Sequence, residues 1–277
     1  MNRGRRPTLG RLLSAGFRLS AALLAFCVCS ATYRSPMPEL VPPQWQDGET
    51  AVYDITRSDT VLYRSRIVIQ LDEEIPRPVD GAASDTAGAV ATLVTTNVVL
   101  PVEAPSYFFD SVTVVMRRAD LRPLRSFRTL STDISDVEVS VRYEPDRAFI
   151  SKQTVDGIQE DVLRLPARSY ANDAVQTLLR AVPLVPGTTF RIDLVLSMDL
   201  RTLPVTVSVL GTKVISTSLG DIMCREVELS SPGRVARLWY ELAEPHRFVG
   251  MLDKSNLTRV VISSWQASAD TLQPAAP

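Results

Sequence analysis

The sequence has very little of the chemistry on which most catalytic and metal sites depend. His246 is its only histidine, and its 12 glycines stand singly at predicted turns, so no Gly-rich phosphate loop follows a strand. A Gly-x-Ser-x-Gly nucleophile elbow is missing as well. Without a second histidine or a cysteine pair, a metal would have to be held by carboxylates around one imidazole. The sequence therefore predicts no catalytic residue, no metal and no cofactor.

Without its N-terminal segment the chain has one cysteine and a net negative charge. Two of the three cysteines lie within residues 1–31, so a mature chain would keep only Cys224 and could form no intrachain disulfide. The same segment carries five arginines and no acid, and its removal would change the formal net charge from −1 to −6. An acidic chain without a basic patch argues against a nucleic-acid partner, because binding phosphates requires a basic surface.

Residues 1–31 have the pattern of an export signal peptide. Their arginines all precede an apolar run at residues 19–28. This run is shorter than the roughly 20 residues of a membrane span, and small residues precede Thr32. We predict export to the periplasm or cell envelope of a bacterium. An uncleaved anchor and lipidation at Cys27 or Cys29 stay open as alternatives, although Phe26 stands where a lipobox has a small residue. Membrane contact is expected only through this segment or a lipid anchor.

Three further segments lack any periodic pattern. Residues 32–46 carry four prolines and are predicted to form an extended linker. Residues 72–88 are acidic and then rich in small residues, which indicates a solvated loop; a calcium site is less favoured because the alternating ligands of a calcium loop are missing. Residues 267–277 are predicted to be a disordered tail. A single β-rich domain, residues 47–266, remains between the linker and the tail.

Residues 169–187 are the only part of the mature chain with a helical period. An apolar stripe at spacings i, i+3, i+4 and i+7 is formed by Val175, Leu178, Leu179 and Val182. The polar face would carry Asp173, Gln176, Thr177 and Arg180. We predict one short amphipathic helix over about residues 170–182, capped by Ser169 or Asn172 and ended by Pro183.

Nearly all of the remaining domain reads as β-strand. Residues 137–143 alternate valine or tyrosine with polar residues, which indicates a strand with one face in the core. Similar segments follow one another through short turns, and such short connections require antiparallel neighbours. The sequence therefore predicts a mainly β fold: a strongly curved antiparallel sheet, or partly open β-barrel, with the helix against its concave face.

Several of these turns and strands resemble those of a known family. They are Gly48-Glu49 with Tyr53-Asp54-Ile55, residues 120–126, residues 172–188, Leu219-Gly220-Asp221 with Cys224, and Trp239-Tyr240. From about Gly48 to Trp265 the chain resembles the bacterial exported proteins grouped as domain of unknown function 3108. It departs from the family pattern at Ser58-Asp59-Thr60, where a glycine is usual, and in the long 72–88 segment. The resemblance implies an exported, mostly antiparallel β protein without established catalysis, and it supplies no functional residues.

Three hypotheses for function follow. The first is a non-catalytic envelope protein that binds a lipid or another hydrophobic ligand in the concave face, by analogy with lipoprotein-carrier folds. Its candidate ligand-facing residues are Val175, Leu178, Leu179, Trp239 and Phe248. The second is a structural or scaffolding module that binds an envelope protein through an edge strand or the 72–88 loop. The third, which we favour least, is a hydrolase that uses His246.

Overall fold

Fifteen β-strands form one continuous sheet in the computed structural model, which describes residues 36–72, 92–102 and 108–267. The strands that precede the helix are β1 (Glu49–Arg57), β2 (Thr60–Asp72), β3 (Thr92–Pro101), β4 (Phe108–Arg117), β5 (Pro123–Thr132), β6 (Asp136–Tyr143), β7 (Arg147–Thr154), β8 (Gly157–Arg164) and β9 (Ser169–Ala171). Those that follow it are β10 (Thr189–Leu196), β11 (Arg201–Thr217), β12 (Gly220–Ser231), β13 (Arg234–Glu241), β14 (Phe248–Asp253) and β15 (Thr258–Gln266).

The sheet consists of two meanders joined at the first and last strands. Strands β1 to β8 lie side by side in chain order, and β15 back to β9 lie in reverse order on the other side of β1. All neighbours are antiparallel except β9 and β10. The described sheet therefore has two edges, β8 and β9. The prediction of a mainly β, curved and open antiparallel sheet is confirmed.

Side-chain alternation sets which face of each strand is buried. In β6, Val139, Val141 and Tyr143 are buried while Glu138 and Arg142 are exposed, as the sequence pattern predicted. Two residues joining β1 and β2, Ser58 and Asp59, have positive φ (49° and 64°). Two left-handed residues in succession are typical of a type I′ hairpin, so this turn forms without the glycine that the family resemblance leads one to expect.

The helix is shorter than predicted. Helix α1 covers Val175–Arg180 and follows a 3-10 turn at Asn172–Ala174. Ser169–Ala171, predicted to provide a cap and the first residues of the helix, instead pairs with β10 as strand β9. Neither helical start has a side-chain cap, and the Ser169 hydroxyl donates to the carbonyl oxygen of Pro166 at 2.9 Å. Ser169 does not cap the helix because it lies in strand β9, where residues 169–171 pair with β10.

The predicted polar face of α1 is not exposed. Thr177 and Arg180 retain only 4% and 5% of their accessible surface. Arg180 donates from Nη1 to Glu49 Oε1 at 2.7 Å and from Nη2 to Glu49 Oε2 at 3.2 Å, and its guanidinium lies 4.6 Å from the centre of the Trp45 ring. The sequence pattern could not show this burial because the partner carboxylate comes from β1, 131 residues away along the chain.

Residues 36–46, predicted to belong to a linker, pack on the sheet and the helix. Met37 and Trp45 are buried in the core. The Val41 N–H donates to the Ala181 carbonyl oxygen at 2.7 Å, and Arg168 donates to that of Met37 at 3.0 Å. The segment has no helix or strand, as its prolines suggest, but it is part of the folded domain and covers the C-terminal end of α1.

We expect Arg180→Met to lower the free energy of unfolding by about 3–5 kcal/mol, because it leaves the buried Glu49 carboxylate unpaired. The double variant Glu49→Leu with Arg180→Met should recover most of that loss, since no uncompensated charge remains. Urea unfolding measures both.

The matched control is Arg191→Met, which breaks the partly exposed pair of Arg191 with Asp193 (3.2 Å). We expect the control to change stability by less than about 1 kcal/mol. If Arg180→Met destabilised the protein no more than Arg191→Met does, the importance of the buried pair would be contradicted.

Candidate ligand-binding site

An interior cavity of about 540 Å³ lies between the two halves of the curved sheet. One wall is formed by residues of β3, β4 and β5, and the opposite wall by residues of β10 to β14. The 3-10 turn before α1 and the first residues of α1 form its floor. The cavity exists because the two meanders face each other while the helix fills only one end of the space between them.

Apolar residues, which we call the apolar wall, make up about half of the cavity lining. Val112 on one side and Leu194, Val205 and Leu238 on the other line the cavity and are buried in the core. Val175 at the start of α1 lines it as well. Each of these positions follows the strand or helix period that points a side chain inward. The apolar wall favours a ligand with substantial hydrocarbon surface.

A charged cluster of Asp110, Arg128 and Asp173 interrupts the apolar lining. Arg128 donates from Nε to Asp110 Oδ1 at 2.8 Å and from Nη2 to the other carboxylate oxygen, and its Nη1 lies 3.4 Å from Asp173 Oδ1. The side chains of the three residues are 14%, 23% and 14% exposed in that order. Two strands and the 3-10 turn thus hold one guanidinium between two carboxylates at the cavity floor.

Burial changes the proton affinities of this cluster. It raises the pKa of the Asp173 carboxyl, and the positive charge of Arg128 only partly opposes this effect. Burial alone would lower the pKa of Arg128, but the hydrogen bond to Asp110 and the charges of both carboxylates raise it. The guanidinium is therefore charged at any ordinary pH, and Asp173 gains a proton more readily than an exposed aspartate.

Two exposed arginines at the rim of the cavity are paired with carboxylates. Arg201 bonds to Asp199 at 3.3 Å and Arg234 to Asp253 at 2.7 Å, with 59% and 64% of the two arginine side chains exposed. Burial alone would raise the pKa of Asp253, but hydrogen bonds from Ser255 and Arg234 lower it. Because exposure increases from the floor to these residues, the cavity opens to solvent beside the β12–β13 turn.

The structure separates the five residues predicted to face a ligand. Val175 lines the interior cavity, whereas Leu178 and Leu179 are buried in the core beneath it. Phe248 packs against Tyr53 and Tyr240, with ring centres 5.3 Å and 5.6 Å away. Cys27 and Cys29, the predicted lipidation candidates, lie outside the described residues.

Trp239 requires a correction. Its side chain is buried on the face of the sheet opposite to the cavity, where its indole N–H donates to Glu226 at 3.3 Å and Lys213 lies 5.7 Å from its ring centre. Its strand neighbour Leu238 points into the cavity. Successive strand residues face opposite sides of a sheet, so Trp239 cannot share the concave face with Leu238.

Sequence reasoning did not find Asp110 and Arg128. Asp110 interrupts an apolar strand, Phe-Phe-Asp-Ser-Val, and such a charge within a strand is a signal that a buried partner exists. Its partner could not be identified from the sequence because it depends on register: Val112 of β4 lies opposite Arg128 of β5.

Among the described residues, the hydrogen-bond and ion-pair partners of the His246 side chain do not include a serine. Its Nδ1 lies 3.1 Å from the Glu241 carbonyl oxygen and its Nε2 lies 3.0 Å from Glu244 Oε1, at a partly exposed turn. Within the part of the chain that the structure describes, no group of three or more His, Cys, Asp or Glu side chains could hold a metal ion. None of the helices described there is long and apolar enough to cross a membrane.

A second cavity of about 840 Å³ lies along β3 to β8, with lining residues such as Val115, Phe127, Phe149 and Val162. These side chains lie on the face opposite to the buried valines of β4 and β6. Only one layer of protein forms this groove, so a bound molecule would keep one side in water. The interior cavity has walls on two sides and is the better candidate for a small-molecule site.

The fold and cavity define a beta-barrel-like protein with an open, curved sheet. Among solved structures, the chain is similar to the "Beta-barrel-like Protein of Domain of Unknown Function DUF1849 from Brucella abortus", at 12% sequence identity and a TM-score of 0.50, over 83% of this chain and 99% of that one. That likeness concerns the fold alone. No curated protein has a significant match to the sequence.

The family described as "Protein of unknown function (DUF3108)" matches residues 82–254. The chain belongs to this family, which confirms the resemblance that its turns and strands indicated. Membership assigns no activity.

We expect Asp173→Asn to change how stability depends on pH. Burial raises the pKa of Asp173 above the ordinary value of 3.8, so the folded state binds this proton more tightly than the unfolded state. The resulting stabilisation is fully present below the ordinary value and is lost as pH rises through the raised pKa. The asparagine side chain cannot lose a proton, so the variant is not destabilised in this way as pH rises. Its stability relative to the native protein should therefore increase between about pH 3 and about pH 7.

Urea unfolding across that range measures the difference. Asp221→Asn, which removes an exposed carboxylate, controls for the change in net charge. A constant difference between Asp173→Asn and the native protein would refute the raised pKa.

Proposed function

We propose that this protein is a non-catalytic cell-envelope protein that binds a lipid or another hydrophobic molecule inside its curved sheet. The observation that carries the proposal is the interior cavity of about 540 Å³, about half of whose lining is apolar. Small-molecule sites typically have volumes of about 300–1,000 Å³, a range that includes this cavity. Closed or nearly closed β-barrels are a common means of holding one such ligand.

The charged cluster supports an amphipathic ligand over a pure hydrocarbon. Arg128 is occupied by Asp110 on two of its nitrogens, while Asp173 holds it through one oxygen only. Asn97 and Asn172 also line the cavity. A ligand with an apolar chain and a hydrogen-bonding head group would match the apolar wall with the chain and the polar floor with the head group.

The location in the envelope rests on the N-terminal sequence. Five arginines without an acid, an apolar run of signal-peptide length and small residues before Thr32 support export. Cleavage before Thr32 is part of the proposal, and lipidation at Cys27 or Cys29 is its alternative. The intact mass of protein purified from its own envelope distinguishes cleaved, retained and lipidated forms.

The alternative function is a scaffolding module that binds an envelope protein through an edge strand. Strand β8 favours it, because it is a sheet edge and six of its eight residues are exposed. Most of the 72–88 loop, the other predicted docking element, lies outside the described residues.

Native mass spectrometry of the protein purified from its own envelope, followed by solvent extraction, tests the ligand proposal. We expect a co-purifying lipid or apolar molecule near one per chain. Consistent recovery of the apo mass, together with no binding of a fluorescent fatty-acid probe, would overturn the proposal.

A pair of variants in β13 tests the site itself. Ala236 lines the cavity, so Ala236→Phe should fill it and weaken binding of the fluorescent fatty-acid probe by at least about tenfold. Its neighbour Val235 faces the other side of the strand, so Val235→Phe should change affinity less than about twofold. Equal effects from both variants would place the ligand elsewhere, and unfolding curves for both would show whether each remains folded.

A further inference from the structure

The two edges of the sheet are protected to different degrees. Strand β9 has three residues, and all of them are buried. Strand β8 has eight residues, and Ile158 and Val162 on it are 66% and 56% exposed. Among the described residues, no strand pairs with the outer edge of β8. Proteins usually block such edges because their free backbone groups attract another strand.

The hairpin geometry shows which backbone groups of β8 are free. Strands β7 and β8 are joined by a two-residue turn, and Thr154 lies opposite Gly157. The pair that closes such a turn is hydrogen-bonded, so the odd-numbered residues of β8 bond to β7 and the even-numbered ones point to the outer edge. The Val162 N–H agrees with this: it donates to the Asp161 side chain at 2.7 Å.

The same even-numbered residues carry complementary side chains. Glu160, Val162 and Arg164 share one face of β8. Along this face the valine lies between the acidic and the basic residue. If a second copy of β8 runs antiparallel with a two-fold axis at Val162, each Glu160 lies opposite the other copy's Arg164. An axis at Asp161 would place two carboxylates opposite each other, which is unfavourable.

We propose that two copies of this chain associate through antiparallel pairing of their β8 strands, with the two-fold axis at Val162. The N–H and C=O groups of Glu160, Val162 and Arg164 would bond across the axis. Asp161 would then release the Val162 N–H to the partner strand. A self-complementary patch of this kind is what a closed two-fold dimer requires. The inference is independent of any ligand in the interior cavity.

Sedimentation velocity on the full chain over a range of concentrations tests the dimer. We expect a concentration-dependent dimer. Arg164→Glu should weaken it by at least about tenfold, because two glutamates then oppose each other. The double variant Glu160→Arg with Arg164→Glu should restore it, since the charges are exchanged but remain complementary.

Arg142→Glu is the matched control, because Arg142 is an exposed arginine on β6, two strands from the edge. It should leave the dimer unchanged. A protein that is monomeric at every concentration, or whose dimer is insensitive to Arg164→Glu, would overturn the proposal. The proposal would also be overturned if the β8 edge bound a different protein but not a second copy of this chain.

Cross-linking tests the register. Directly opposed residues in an antiparallel pair have Cα atoms about 4.5–5.5 Å apart, within the range that a disulfide spans. Val162→Cys should therefore form an intermolecular disulfide, identified by mass spectrometry of the linked peptides. Cys224 is fully buried and does not compete. Gln159→Cys lies three residues from the axis and should not link; linking there but not at Val162 would refute the register.

Discussion

The pairing of β1 with β15 is the constraint on which the rest of the structure depends. It joins the first and last strands of the domain and turns two separate meanders into one sheet. Once joined, the halves can curve toward each other and bury a shared face. The hydrogen bonds between β1 and β15 connect residues about two hundred positions apart in sequence. The chain between them must therefore lose the entropy of closing a long loop before the core forms.

The buried ion pair of Arg180 with Glu49 ties the helix to that central seam. Glu49 begins β1, and Arg180 ends α1 beneath the ring of Trp45. A charge pair in this position gives the helix one orientation, because any other leaves a buried charge without a partner. The helix thus closes one end of the space between the sheet halves and leaves the cavity at the other. The ligand proposal depends on this arrangement.

The dimer proposal concerns the opposite part of the sheet. Strand β8 lies seven strands from β1 along the meander, so its edge is independent of the helix and the cavity. Binding in the interior and association at the edge could therefore occur together. An edge that carries both an exposed valine and flanking opposite charges favours a specific partner over indiscriminate aggregation.

The sequence by itself determined the strands, the short hairpin turns, the place of the single helix and the family, because each depends on residues close together in the chain. The alternation in β6 and the apolar stripe of α1 are examples. It could not show that Ser169–Ala171 would be a strand, that Arg180 would be buried or that Trp239 would lie on the face opposite to the cavity. Nor could the sequence predict that Asp110, Arg128 and Asp173 would contact one another. Only the tertiary structure decided these features, because hydrogen-bond partners, register and sheet face are set by segments that are distant in sequence.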